Sequence, residues 1–441
     1  SCFKKKETND KQEIKRDRKS ERGAIMNVTF YQRFFDRISE SWEGISINEF
    51  MGFLIPKCRE VITVERLRDL LGEKRKLRIK FGIDPTAKDI HLGHIVPIML
   101  LQQFAKKGHH IDFIIGDFTA RIGDPTGRET ARKPLAPGII VENMKTYKDQ
   151  INKYVDVLDF HFYHNSEWLS SISLEEIFTI FQRINLAEAI QRKDFQKRLR
   201  TSRAVTLAEV CYGILMGIDS LHLHTDIEVG GIDQLLNFQQ CRKIMREEGF
   251  SEEVVLMTPV LEGITGDGKK MSKSYNNYIA VNDSIEDKFG KIMSIPDRLI
   301  FQYFCCFVDI HERELKNLKM LIESNPLEAK KQLATFIIFL ETKNISDALQ
   351  EREKFERKFS QRTILEEDCI PLPVDSNTEL IDVLIATNNF KSRSEIRRLF
   401  SQNAIRLLEN NKELVLTPND KIDKICIIRV GKRKFFKMIP E

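Results

Sequence analysis

The chain has few cysteines, and none of the spacings that give cysteines a structural task. Its eight thiols (Cys2, Cys58, Cys211, Cys241, Cys305, Cys306, Cys369 and Cys426) are scattered, with no C-x-x-C pair. That pattern excludes a zinc ribbon and a disulfide framework, and implies reduced thiols in a cytoplasmic protein with no protein-ligated metal. Cys305 and Cys306 adjoin in an apolar stretch and read as core. No apolar run approaches the roughly 20 residues of a membrane helix, so no membrane partner is expected. An excess of one charge is also missing: 70 Lys and Arg against 65 Asp and Glu leave a net charge of +5. Such a balance permits a nucleic-acid partner without requiring one. The first 25 residues are mixed in charge and lack an apolar centre, so they are not a secretory signal. They read as a disordered tail, with Met26 a candidate start.

What the sequence does contain is a pair of short signals. His91-Leu92-Gly93-His94 opens a helical pattern after the strand-like run Leu77 to Ile83 and the loop Asp84-Pro85-Thr86-Ala87. Far downstream, Lys270-Met271-Ser272-Lys273-Ser274 follows Gly263, Gly266 and Gly268. Two imidazoles three residues apart share one face of a helix start, and Gly93 lets a nucleotide lie close to the backbone. A helix N-terminus favours anions, and two ammonium groups on a glycine-jointed loop suit pyrophosphate. Attack by a carboxylate on the α-phosphate of ATP develops negative charge that such groups meet. Alone, a His-x-x-His pair is also a surface feature or a pair of metal ligands, and a Lys/Ser loop is also plain solvated chain. The setting of strand, phosphate-facing loop, helix and a further strand at Ile111 to Ile115 joins the two signals.

With these residues the chain resembles the class I aminoacyl-tRNA synthetases, and within them the bacterial-type tyrosyl-tRNA synthetases. The two signals match the HIGH and KMSKS signatures, and the likeness runs from about Ile45 to Lys343 and resumes near the C-terminus. It implies an α/β fold: a Rossmann-type parallel-sheet catalytic domain at 45–258, with a helical, dimer-forming insertion at about 144–199. A tail and leading helix (1–44) precede it. The KMSKS loop with a helical domain (259–345), a charged helix and linker marked by Pro371 and Pro373 (346–376), and an α+β RNA-binding module (377–441) follow.

The resemblance also implies roles. Thr86 and His91 would hold the γ-phosphate, with His94, Lys270, Lys273, Arg128 and Arg132 as further phosphate-side groups. Gly82, Asp84, Gly93 and Asp233 would meet ATP, Asp233 at the ribose. Thr119, Asp124 and Tyr212 would surround the ammonium of tyrosine, Gln234 its carboxylate, and Asp219 its phenolic hydroxyl. Two positions depart from the common pattern: Lys80 replaces a tyrosine that touches the phenol, and Met216 replaces a glutamine near the amino group. Magnesium would arrive with ATP, held by phosphates. The implied partners are L-tyrosine, ATP, tRNA(Tyr) and a second copy of the chain.

Local patterns support both ends. Thr206-Leu207-Ala208-Glu209 reads as a capping box opening a helix that carries Tyr212, Met216 and Asp219 on one face. Read by itself, Asp219 is either a buried carboxylate that needs a partner or a polar helix end. Asp124 before Pro125 is equally a turn former. Ser392-Arg393-Ser394-Glu395 opens a second helix, with Ile396, Leu399 and Phe400 inward and Arg393, Arg397 and Arg398 outward. Strand-like pieces at Ala404 to Leu408, Leu414 to Leu416 and Cys426 to Val430 follow, then Lys432-Arg433-Lys434 in a turn. By itself a basic helix is also mere surface. Beside a synthetase body it reads as a grip on tRNA. Three alternatives remain: a tryptophan-specific relative, a non-catalytic synthetase-like RNA-binding protein, and another nucleotidyl transferase with a His-x-x-His motif.

Overall fold

The computed structural model describes residues 30–126, 136–359, 369–375, 378–387, 390, 392–409, 412–431 and 434–440. The chain divides into two compact units, with the break between Leu349 and Gln350.

The first unit is built on six strands: β1 (Glu60–Ile62), β2 (Arg78–Ile83), β3 (His110–Ile115), β4 (Phe160–His164), β5 (Ile227–Gly231) and β6 (Val254–Thr258). Their order is β1-β6-β5-β2-β3-β4, parallel throughout except for β1 against β6. Central parallel strands are covered on both faces and therefore read as apolar runs, which is why Ile79, Phe113 and Val229 are all buried. From β2 the sheet grows in one direction through β3 and in the other through β5, so a crevice opens beyond the carboxyl ends of β2 and β5. Helices α1 (Ile47–Leu54), α2 (Leu92–Lys106), α3 (Leu207–Leu223) and α4 (Leu235–Glu247) pack around it. α3 and α4 approach closely because Gly217 has no side chain: a Cβ there would lie 3.2 Å from Cys241 Cα. Helices α5 (Ile300–Phe307) and α6 (Pro326–Thr342) form the later helical part, and Cys305 and Cys306 are buried in α5.

The insertion expected to be helical at about 144–199 is not wholly so. Its β4 pairs in parallel with β3 and forms the sheet edge. The five-residue run Phe160–His164 is too short and too mixed with histidine to announce a strand before its neighbour is placed.

Gly52 in α1 is a tight point. A Cβ there would fall 1.9 Å from Nε2 of His311, whose buried ring stands edge-on to Phe53 at 4.9 Å. Gly52→Ala should therefore cost about 1–3 kcal/mol by overpacking, read as a lower urea midpoint with an unchanged slope.

The second unit holds β7 (Ile370–Val374), β8 (Ile405–Glu409), β9 (Lys412–Val415), β10 (Cys426–Val430) and β11 (Lys434–Pro440), in the order β7-β11-β10-β8-β9. Two helices, α7 (Leu380–Ala386) and α8 (Arg393–Ser401), close a core containing Leu384, Ile396, Phe400, Ile428 and Phe436. Pro371 and Pro373, expected to mark a linker, instead lie in β7, an edge strand parallel to β11. An edge strand has one side free of ladder bonds, so proline's missing N–H is tolerated there. Among the described residues no helix is long and apolar enough to cross a membrane.

Candidate active site

The crevice at the ends of β2 and β5 is a cleft of about 750 Å³. Its wall brings together Gly82, Asp84, Thr86, His91, Gly93, His94, Asp124, Tyr212, Met216, Asp233, Gln234, Lys270 and Lys273, residues drawn from four distant parts of the sequence.

At one end, His91 caps α2 and its backbone N–H donates to His94 Nδ1 at 3.2 Å, with the rings 3.9 Å apart. Nδ1 of His94 is thereby an acceptor, which leaves the proton on Nε2. Gly93 is required by this packing, since a Cβ would press on the His91 ring at 3.0 Å. Burial, together with Lys273 and Lys270, holds both imidazoles neutral: His91 falls to about 2 and His94 to about 4. They can therefore serve as hydrogen-bond donors, and the cationic charge comes from the lysines.

The lysine loop is fastened to this helix. Leu92 N donates to Ile279 O at 3.0 Å and Val281 N to Ile90 O at 3.0 Å, so the strand leaving the loop runs against the start of α2. Asn277, fully buried, accepts from Ser272 N at 2.8 Å and donates to Lys270 O at 3.1 Å. Gly266 and Gly268 adopt positive φ at the loop tip, where other residues would be strained. Lys270 Nζ lies 3.6 Å from Asp233, and Lys273 Nζ lies 3.8 Å from Asp89.

At the opposite end, hydrogen bonds link the polar groups into two sets. Tyr212 donates to Asp84 Oδ2 at 3.0 Å and Thr119 to Asp84 Oδ1 at 2.7 Å. Gln234 donates to Asp124 Oδ2 at 2.8 Å. Asp84, assigned from sequence to ATP, thus stands among the groups assigned to tyrosine, because it caps the end of β2 directly opposite α3.

Lys80, Thr119 and Asp219 are buried and do not belong to the cleft wall. Asp219 accepts from Trp168 Nε1 at 2.7 Å and Asn165 Nδ2 at 3.3 Å, and α3 continues past it to Leu223. Burial pushes its carboxyl up to about 7, against the opposing pull of Lys80 and the two donors. Arg128 and Arg132 lie outside the described residues, as do Lys432 and Arg433. In the second unit Arg393, Arg397 and Arg398 are exposed on α8, Arg393 paired with Asp382 at 2.7 Å, and Lys434 sits 4.6 Å from the Phe390 ring.

The family "tRNA synthetases class I (W and Y)" matches residues 72–354. The chain belongs to that family. A tyrosine–tRNA ligase of Carboxydothermus hydrogenoformans is 38% identical over 391 residues, covering 86% of this chain and 93% of that protein. One from Aquifex aeolicus is 37% identical over 382 residues, covering 86% and 96%. A solved tyrosyl-tRNA synthetase from Archaeoglobus fulgidus, complexed with L-tyrosine, superposes with a TM-score of 0.56 at 25% identity, covering 70% of this chain and all of that one.

Several groups at the synthetase's cleft escape a reading by motif. Glu228 lines it, paired with Lys80 at 2.8 Å. A lysine inside the apolar run Leu77 to Ile83 demands a buried carboxylate, and Glu228 inside Ile227–Val229 was the signal. Asn165 and Trp168 come from the insertion and carry no local mark. Arg192, buried, donates to Asn237 and Thr126 at 2.5 and 3.0 Å, and Asn237 donates to Gln234 at 2.5 Å. It therefore braces the Gln234 end of the cleft.

Proposed function

We propose that the synthetase joins L-tyrosine to tRNA(Tyr) through a tyrosyl-adenylate, with ATP as the activating substrate and AMP and pyrophosphate as products. The observation that carries this reading is a single cleft with neutral imidazoles and two ammonium groups at one end and the Tyr212–Asp84 and Gln234–Asp124 pairs at the other. Tyrosine's carboxylate is itself the nucleophile, so no side chain need attack; the site's work is alignment and charge stabilisation. Thr86 and the imidazoles of His91 and His94 donate to phosphate oxygens as charge moves onto pyrophosphate, and Lys270 and Lys273 close from the other side, with Arg128 and Arg132 as further cations. Asp233 faces the ribose. Magnesium enters with the nucleotide as part of the substrate, since the carboxylates beside the lysines, Asp233 and Asp89, are paired with Lys270 and Lys273.

Asp219, buried behind the cleft wall and held by Trp168 and Asn165, is assigned to the phenolic hydroxyl, a contact that requires the wall to part on binding and that would favour tyrosine over phenylalanine; tyrosyl-tRNA synthetase is itself the established example of such discrimination. The exposed arginines of α8 bind tRNA phosphates, and binding through them weakens with salt. Exposed apolar residues in and beside the insertion (Leu174, Phe178, Leu186 and Leu207) support a homodimer. Pyrophosphate exchange measured with each of the twenty amino acids tests the reading. Exchange should depend on tyrosine. Exchange driven by tryptophan would reassign the specificity, and none with any amino acid would leave a binding protein.

A further inference from the structure

Behind the amino-acid end of the cleft lies a charged layer with an unfilled hydrogen-bond requirement. Lys80 on β2 and Glu228 on β5 stand side by side in the parallel register. The Lys80 ammonium donates to Glu228 Oε1 at 2.8 Å, Ser220 Oγ at 2.5 Å and Met216 O at 3.2 Å, so all three of its protons are used. Glu253, immediately before β6, is fully buried, and among the described residues neither of its oxygens has a hydrogen-bond partner of good geometry, the nearby Ser220 hydroxyl donating instead to Met216 O at 3.3 Å; Glu228 Oε2 also lacks one. An oxygen of Glu253, an oxygen of Glu228 and the Cys241 sulfur of α4 all lie within 4.8 Å of one another. Asp219 on α3 is the third carboxyl in the field of Lys80. One cation thus faces three buried carboxyls. Ionising all of them would leave two uncompensated charges in the interior.

We propose that Glu253 is a positioning residue for the amino-acid pocket, carrying a proton that it donates to Glu228 Oε2 and so fixing Glu228, Lys80 and the Met216–Ser220 turn of α3. This rests on the reading of the cleft as a tyrosine site. A shared proton satisfies the orphaned oxygens with no added group and brings the net charge of the Lys80–Glu228–Glu253 set to zero. Burial and the adjacent Glu228 charge push the Glu253 carboxyl well above the usual range, in the direction the proton requires. Lys80 opposes that rise, and Cys241, Asp219 and Ser220 complete the facing groups. A cation held by Glu228, Glu253 and Cys241 would instead sit beside the Lys80 ammonium and be repelled by it. Because Glu228 and Met216 line the cleft, the proton's effect falls on the pocket wall.

Infrared spectroscopy on the full chain, without substrates, tests the proton directly. At pH 7 the difference spectrum between the parent and Glu253→Gln should contain a protonated-carboxyl stretch, separate from that of Asp219, which both chains retain; absence of this band from the difference overturns the proposal. In kinetics, Glu253→Gln keeps a neutral donor and should hold KM for tyrosine within about twofold. Glu253→Ala should raise it about tenfold while KM for ATP and kcat change little. A glutamine variant as impaired as the alanine one overturns the proposal, and so does a stoichiometric metal in the purified chain that is lost in Cys241→Ser. Should the alanine variant fail to fold, the band and the glutamine variant decide. The band needs no tyrosine, so its presence in a chain that does not activate tyrosine would remove the functional reading and leave the proton in place.

Discussion

His91→Ala or Lys273→Ala should slow tyrosine-dependent pyrophosphate exchange by about 10² or more, the scale of losing one preorganised donor to developing charge. Both line the same cleft, one fixed at the cap of α2 and one on the glycine-jointed loop that is fastened to the start of that helix. His91 is half-buried and its ring rests against that of His94 at 3.9 Å, so it is set in place before the nucleotide arrives. Its loss should appear in kcat more than in KM for ATP, because the donor matters most as charge shifts to the leaving group. Near-normal exchange in either variant would strip that residue of its role. The pH dependence is also constrained. His91 and His94 titrate near 2 and 4, below the ordinary value of 6.5. Exchange between pH 6 and 8 should therefore show no step from this pair. A depressed folded-state pKa means that their neutral forms stabilise the fold fully above about 6.5, and that this contribution is lost as the pH falls through 4 toward 2.

Glu209→Ala should be among the most destabilising single changes, costing about 3–5 kcal/mol, because it leaves Arg198 charged and buried without its partner. Both Arg198 terminal nitrogens donate to Glu209 Oε1 at 3.0 Å, while Oε2 accepts from Thr206 N and Oγ1 at 3.0 and 3.1 Å. One carboxylate thus closes the capping box of α3 and neutralises a guanidinium from the insertion helix Lys193–Arg200. Among the described residues the Arg198 Nε already lacks a partner, and the guanidinium's remaining contact is the Phe195 ring at 5.3 Å. A lowered urea midpoint measures the cost. The double variant Arg198→Met/Glu209→Leu should recover much of it by replacing the pair with apolar bulk. Because α3 carries Tyr212 and Met216, KM for tyrosine should rise in the single variant. A midpoint within about 1 kcal/mol of the parent would show that the pair contributes as little as an exposed one.

The elements that could be read from the sequence were those whose local pattern agrees with their final surroundings. β2, β3 and β10 are short runs rich in Ile, Phe and Val, of which β3 is almost wholly buried, and Thr206 and Glu209 announce α3 because capping is a contact between near neighbours. β4 and β7 could not be read in this way. The first owes its pairing to β3, and the second tolerates two prolines only because it ends as an edge. In the cleft, the imidazole and lysine signals survive as short motifs. The hidden groups are those whose meaning arises across strands: Glu228 is legible only beside Lys80, Trp168 and Asn165 only once the insertion folds over α3, and Glu253 sits in the polar run Ser251-Glu252-Glu253, which resembles solvated loop until β6 carries it inward.

The short backbone ladder between Ile90–Leu92 and Ile279–Val281 has a bearing on evolution as well as on chemistry. Imidazoles and ammonium groups separated by a long stretch of chain are held to a common origin at one seam. Their mutual distance is set at this seam, so a change in the length of the intervening chain that leaves the seam intact leaves that distance unchanged.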